Sequence, residues 1–366
     1  MIVFVCVLGL LVGLHLSTAA LAAWRYLRQA PLRATEQPFM TLLRPVCGLD
    51  RFDSETLESS FHLTYPHYEI LFCAAVADDP AVAEVKRLIA KYPDANARLL
   101  IGEDRITGNP KLNNLAKGWA QSRGEWVAMA DANLLLMPNY FEQILHVVRP
   151  STGLVTSPPI GIRADGLWGN VEAAFLNSFQ GRWQLAADQL GRGFAQGKTL
   201  CWRRDVLENA GGLVALGRDL AEDVASTKAV RAQGLNVQLT RRAFCQPIGQ
   251  RGFRAVWDRQ LRWSRVRRDG FLGLFMLEIM LGPWVPALCL IVSGLGLWLP
   301  LFFAIWYGIE IALSRVAGWP YTIAAMILRD ILMPALWVVT WARRGFEWRG
   351  SAMDAGGVLQ TPKTAK

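Results

Sequence analysis

Apolar residues gather at the two ends of the chain and alternate with polar ones between them. Residues 2–24 (IVFVCVLGLLVGLHLSTAALAAW) hold no charged side chain. At about 1.5 Å per helical residue, such a run can cross the ~30 Å hydrocarbon core of a bilayer. Ala20, Ala22 and Ala23 resemble a small-residue cleavage site, but no basic residue precedes the run and Arg25, Arg28 and Arg33 follow it. The pattern predicts an uncleaved transmembrane anchor over 1–25, with the chain beyond it on the cytoplasmic side.

From residue 39 to 250 the periodicity switches between strand and helix. Short buried strands are expected at Phe39–Arg44, Tyr68–Ala77, Ala97–Ile101 and Trp126–Ala130. Helices are expected at Glu55–His62, Ala81–Lys91, Leu112–Ser122 and Val224–Gln233; Val82, Val85, Leu88 and Ile89 mark the apolar stripe of the second. Alternation of this kind predicts an α/β domain with a mostly parallel sheet and helices on both faces. Ligands of such sheets bind beyond the carboxyl ends of the strands.

After residue 250 the chain becomes first basic and then apolar. Residues 251–285 are expected as basic amphipathic and interfacial helices. Pro286–Tyr307 and Tyr321–Trp341 are expected to span the membrane, within a transmembrane region over 286–342. The stretch Phe271–Val285 carries Glu278 and Pro283, and a charge at the bilayer centre costs ~2.5–3.5 kcal/mol on insertion scales. It is therefore expected to lie in the interface. Residues 343–366 read as a cytoplasmic tail, small, polar and disordered after Gly350.

Charge and cysteine usage narrow the class. The net charge is +9, concentrated at Arg25–Arg33 and Arg251–Arg268 beside the apolar runs. That placement points to anionic lipid and an integral membrane protein, and away from nucleic acid. Six cysteines form no C-x-x-C pair and four histidines are scattered, so neither a disulfide scaffold nor a zinc site is expected.

Acidic residues fall where chemistry would be placed. Asp78-Asp79-Pro80 follows a strand; Asp before Pro is also a good helix start. Asp131-Ala132-Asn133 follows Trp126–Ala130 and offers hard oxygens to Mg²⁺ or Mn²⁺. Ala221-Glu222-Asp223 opens a helix and holds a candidate general base. Arg259-Gln260-Leu261-Arg262-Trp263 is a basic amphipathic stretch with a fork to clamp a diphosphate.

Read in order, these stretches resemble the inverting GT-A glycosyltransferases, and within them the ceramide glucosyltransferase family, with wording closer to bacterial members. The resemblance runs from about Leu43 to Gly270. It includes Arg44-Pro45 with Gly48-Leu49-Asp50, Tyr65-Pro66-x-Tyr68-Glu69, Lys91-Tyr92-Pro93, Asn109-Pro110-Lys111-x-Asn113-Asn114-Leu115, and Asp205-Val206-Leu207 with Ala210-Gly211-Gly212-Leu213. It implies a GT-A-type, Rossmann-like fold. It also implies transfer of glucose from a UDP-sugar donor to the primary hydroxyl of a ceramide-like lipid at the cytoplasmic face of a bacterial inner membrane. Asp223 would be the catalytic base. Asp78, Asp79, Lys111 and Asn114 would hold the nucleotide, Asp131 a divalent cation, and Arg259, Arg262 and Trp263 the diphosphate. Two positions depart from the eukaryotic pattern: Gln180-Gly181 stands where that pattern has His-Pro, and Ala195 where it has Cys. Both keep another sugar (galactose, glucuronate, N-acetylglucosamine) or another lipid (hopanoid, diacylglycerol) as alternatives.

Overall fold

A computed structural model describes residues 1–28, 37–342, 345–348 and 351–353. Arg33, Arg343, Arg344, Arg349 and the tail expected from Gly350 onward lie, apart from Ser351–Met353, outside the described residues. The strands among the described residues, in chain order, are β1 (Met40–Val46), β2 (Tyr68–Ala74), β3 (Ala97–Ile101), β4 (Trp126–Ala130), β5 (Thr152–Thr156), β6 (Pro159–Asp165), β7 (Thr199–Arg203), β8 (Asn236–Leu239), β9 (Phe244–Gln250), β10 (Phe346–Trp348) and β11 (Ser351–Met353).

The chain divides into two compact units. One lies within Pro31–Ser157 and Phe194–Thr240 and holds a seven-stranded sheet of order β3-β2-β1-β4-β7-β5-β8. β1 to β4 are parallel, as the alternating pattern predicts; β7 runs antiparallel to both β4 and β5. β1, β2 and β4 are buried almost throughout, because helices cover both faces, and this is why their sequences are continuous apolar runs. Leu43, Leu71, Val127, Met129, Leu200 and Trp202 form the centre of this core.

Two buried charges fix the sheet's edges. Glu69 on β2 accepts from Thr41 Oγ1 at 2.9 Å, Arg123 N at 2.8 Å and Arg98 Nη2 at 3.2 Å. Burial opposes its charge, but these donors outweigh it and hold the carboxyl below its ordinary value. Arg44 on β1 donates to the carbonyls of Thr56 (2.8 Å), Ala132 (3.0 Å) and Leu134 (3.2 Å), which sets the path of the chain leaving β4.

The other unit lies within Met1–Ala30, Pro158–Gly193 and Arg241–Arg344. The stretch 39–250, read from the sequence as one domain, is thus shared between units. The physical reason is strand pairing: β6 and β9 pair only with each other, in parallel from Pro159↔Phe244, and add nothing to the large sheet. A helix over Gly166–Ala174 passes into a π-helical turn at Phe175–Gly181. There Gln180 Nε2 donates to Gln260 Oε1 at 3.1 Å.

Among the described residues, three helices of this unit are long and apolar enough to cross a membrane: Ile2–Leu27, Gly296–Ala317 and Ile323–Thr340. The span expected over Pro286–Tyr307 is instead broken after Val292, where Gly294 takes the left-handed conformation (φ 77°). Its first part, Trp284–Val292, forms a pair with Leu272–Leu281 that bends by 59° at Gly282-Pro283. Glu278, on that bent pair, is held by both arms of Arg267 at 2.6 and 2.7 Å. Arg25, expected as a lipid-facing flank, is buried. It pairs with Asp188 at 2.5 Å and donates to the Arg241 carbonyl at 3.1 Å.

Candidate active site

The carboxyl end of β4 delivers Asp131 to the edge of the sheet. β4 and β7 run antiparallel with Ala130 opposite Thr199, and the ladder continues by one bond, Asp131 N to Lys198 O at 3.1 Å. Lys198 is thereby set directly across from Asp131, in cross-strand pairing distance. Its ammonium donates to Asp131 Oδ2 and to Asn133 Oδ1, each at 3.0 Å.

A second ammonium comes from a helix start. Asn109 caps the helix Pro110–Gln121 by accepting from Lys111 N, and Pro110 stands at its first turn. Lys111 then projects from that turn. Its Nζ meets Asp131 Oδ1 at 2.7 Å, Glu222 Oε1 at 2.7 Å and the Gly197 carbonyl at 2.8 Å. Burial alone would lower the Lys111 pKa, but Asp131 and Glu222 outweigh it and keep the amine protonated. Burial would likewise raise Asp131, yet the two ammonium groups hold it far below the ordinary carboxylate range.

The third element is the start of helix Glu222–Ala232. Glu222 bonds Lys111 and, through Oε2, Asn109 Nδ2 at 3.2 Å. Among the described residues, Asp223 beside it receives backbone donors alone, Val224 N at 2.8 Å and Gly197 N at 3.2 Å. Burial, and then the neighbouring Glu222 charge, push the Asp223 carboxyl up to about 6, against the pull of those two amides. Adjacent carboxylates with opposite assignments are what acid–base chemistry uses: one is spent on an ion pair, the other is poised to take a proton. Gly197 sits so close that a Cβ there would lie 3.0 Å from Glu222 Oε1.

The remaining expected residues have mixed placements. Asp79 caps helix Pro80–Lys91 through Ala81 N at 2.8 Å and also accepts from Gly48 N at 2.9 Å. It thereby ties the Gly48 turn, which is left-handed (φ 67°), to β2's end. Asp78 is exposed. Asn114 is buried, donating to the Cys73 carbonyl at 2.8 Å and accepting from Lys117. Arg259, Arg262 and Trp263 share one helix, Phe253–Gly270, in the other unit, where Arg259 pairs with buried Glu172. The structure brings Lys111, Asp131 and Asp223 into one cluster. It adds Glu222, Asn109 and Lys198, which the sequence reading had not assigned to the site.

The divalent cation expected at Asp131 does not fit this cluster. Both carboxylate oxygens carry an ammonium nitrogen, and Lys198 also takes the Asn133 oxygen. Among the described residues, no three His, Cys, Asp or Glu side chains converge as an ion would need.

A mostly parallel sheet with helices on it and a polar cluster beyond β4 is the arrangement of the GT-A fold. The profile of glycosyl transferase family 21 matches residues 4–357, and the chain belongs to that family. Ceramide glucosyltransferase 3 of Caenorhabditis elegans is 23% identical over 344 residues, which cover 89% of this chain and 75% of the relative. The ceramide glucosyltransferase of Komagataella phaffii is 26% identical over 297 residues, covering 65% of this chain and 58% of that protein. Among solved structures, a mannosyltransferase from Pyrobaculum calidifontis in complex with GDP-Man and Mn²⁺ shares the fold. Its TM-score is 0.56 at 17% identity, over 93% of this chain and 98% of the other. The candidate membrane helices make this a membrane protein.

Proposed function

We propose that this chain transfers glucose from UDP-glucose to the primary hydroxyl of ceramide, with inversion, at the cytoplasmic face of a bacterial inner membrane. The observation that carries the reading is Asp223. It is a carboxyl raised toward neutrality that accepts from two backbone amides, beside an ammonium–carboxylate cluster at the carboxyl edge of a GT-A sheet. The family relatives named ceramide glucosyltransferase support the acceptor and the sugar.

In this reading Asp223 takes the proton of the lipid alcohol as the alcohol oxygen attacks the anomeric carbon. The bond from that carbon to the diphosphate breaks in the same displacement, which inverts the centre. Asp79, whose carboxylate has lone pairs beyond those used by Gly48 and Ala81, accepts from the uridine end of the donor. The mannosyltransferase of the same fold is in complex with GDP-Man and Mn²⁺, which supports a positive charge accompanying the nucleotide sugar. In this chain the charges at that edge are Lys111 and Lys198.

The test is direct. The purified protein is incubated with each UDP-sugar and a panel of ceramide, diacylglycerol and hopanoid, and products are read by mass spectrometry. Glucosylceramide from UDP-glucose is the expected product. Product on another lipid alone, or from another sugar alone, would replace the substrate assignment, and no transfer from any UDP-sugar would sink the reading.

The raised Asp223 carboxyl also sets a pH profile. The base form exists above its pKa, so kcat/KM should be flat above pH about 6 and fall about tenfold per unit below it. A profile that stays flat down to pH about 4, the range of an ordinary carboxyl, would remove Asp223 from the role.

A further inference from the structure

Lys198 holds a position that chemistry in this kind of site otherwise gives to a metal. Asp131 and Asn133 lie two apart beyond the end of β4, and their side-chain oxygens converge on one point. The occupant of that point is Lys198 Nζ, 3.0 Å from each oxygen. Its placement is built into the sheet, because residue 198 continues the β4–β7 ladder opposite residue 131. Its backbone is also pinned, with Lys198 N donating to Gln196 Oε1 at 2.8 Å. The other Asp131 oxygen is closed by Lys111, whose three N–H bonds are all spent on Asp131, Glu222 and Gly197. A divalent ion needs a carboxylate oxygen at about 2.0–2.2 Å, and each Asp131 oxygen already faces a full positive charge.

We propose that the Lys198 ammonium is the resident cation of this site and itself meets the departing diphosphate, so that transfer runs without a divalent ion. The inference rests on the sugar-transfer reading above. The electron balance is simple. The alcohol proton goes to Asp223, the new bond forms from the alcohol oxygen to the anomeric carbon, and the bond to UDP breaks with both electrons leaving on UDP. Lys198 keeps its proton throughout and pairs with the negative oxygen. A lysine is a compact point charge, suited to a phosphate that needs charge more than fixed geometry.

The experiment uses the full chain in detergent or lipid. Wild type should bind no Mn²⁺ by electron paramagnetic resonance, with or without UDP, measured against UDP alone. It should also keep its transfer rate in excess EDTA. Lys198→Met frees the Asp131–Asn133 pair, so it should bind Mn²⁺ in the presence of UDP. It should lose about 10²-fold in rate in EDTA, in the range seen when one donor to a developing charge is removed, and regain rate when Mn²⁺ is added. Lys198→Arg keeps the charge and should stay insensitive to EDTA. Stoichiometric Mn²⁺ on the wild type, or EDTA inactivation that Mn²⁺ reverses, would overturn the proposal without needing any variant to fold. Because Mn²⁺ binding is read without an acceptor, it still decides the role of Lys198 if no lipid is glycosylated.

Discussion

Replacing Asp223 with Asn should lower kcat by about 10²–10⁴-fold, the usual contribution of a general base, while UDP still binds. Asn keeps the volume and can still accept from Val224 N at the Oδ1 position, so helix Glu222–Ala232 keeps its start. It loses the acceptor facing Gly197 N, a local cost of about 1 kcal/mol that does not unfold the unit. It cannot take the alcohol proton. Turnover of Asp223→Asn near the wild-type rate would remove the base from this position. Glu222 supplies the contrast. Its charge is one cause of the raised Asp223 carboxyl, so Glu222→Gln should lower the Asp223 pKa and move the acid limb of the pH profile to lower pH. The same change takes a carboxylate from Lys111, leaving Asp131 as its remaining charged partner. The two neighbours therefore give different signatures, one a lost rate and the other a moved limb.

The parts of this architecture that the sequence displays are those decided locally. β1, β2 and β4 are legible because strands covered on both faces must be continuous apolar runs, and a polar residue after such a run marks the sheet's edge. Asp131 is found by that rule, whereas Asp223 is marked by the acidic pair that opens its helix. The helix starts at Asn109-Pro110 and Asp79-Pro80 are equally local, since cap and proline are adjacent in sequence. Lys198 is different. Its meaning depends on β7 running antiparallel beside β4, a pairing between segments about seventy residues apart with no local signal, so its stretch reads from sequence only as a departure from a family pattern. Lys111, in contrast, sits two residues after the cap Asn109, in a stretch legible from local sequence. Glu69 and Arg44 belong to quoted motifs yet act structurally, one tying β2 to its neighbours and the other holding the carbonyls just after β4. A motif shared with a family is thus partly scaffold: residues that shape the loop carrying Asp131 travel with Asp131 itself.

The same distinction explains the apolar end of the chain. Length and hydropathy find the helix Ile323–Thr340 within two residues at its start, because nothing interrupts it. They miss the break after Val292, because one left-handed glycine ends a helix without changing its mean hydropathy. They also pass over Arg329-Asp330, inside the run Tyr321–Trp341 read as a span, and Glu310, which lies past the end of the run Pro286–Tyr307 yet inside the helix Leu299–Ala317. Such residues stay there only when paired among themselves.

Arg329→Ala should therefore be the most damaging change outside the sheet unit. Arg329 is 1% exposed and bonds Glu310 at 3.0 Å through each Nη, Asp330 at 2.9 Å through Nε and through Nη2, and Ser178 Oγ at 2.7 Å. Arg182, equally buried, stands 3.7 Å from the same Glu310 and meets His15 Nδ1 at 2.7 Å. The cluster joins helices Ile2–Leu27, Arg182–Gln189, Leu299–Ala317 and Ile323–Thr340 with the π-helical turn of one unit. Removing one partner of a buried pair leaves the other's charge uncompensated, at a cost of about 3–5 kcal/mol. Arg329 faces two carboxylates, so its loss should reach the upper part of that range and abolish a folded, detergent-stable protein. The triple change Arg329→Met with Glu310→Gln and Asp330→Asn removes three of the charges together and should recover part of the loss, the remainder persisting because Arg182 then loses Glu310. Size-exclusion profiles and thermal inactivation in detergent read both. A single variant as stable as wild type would show that the cluster is not buried in the folded protein. A triple variant as damaged as the single one would show that its charges are required as charges rather than as matched partners.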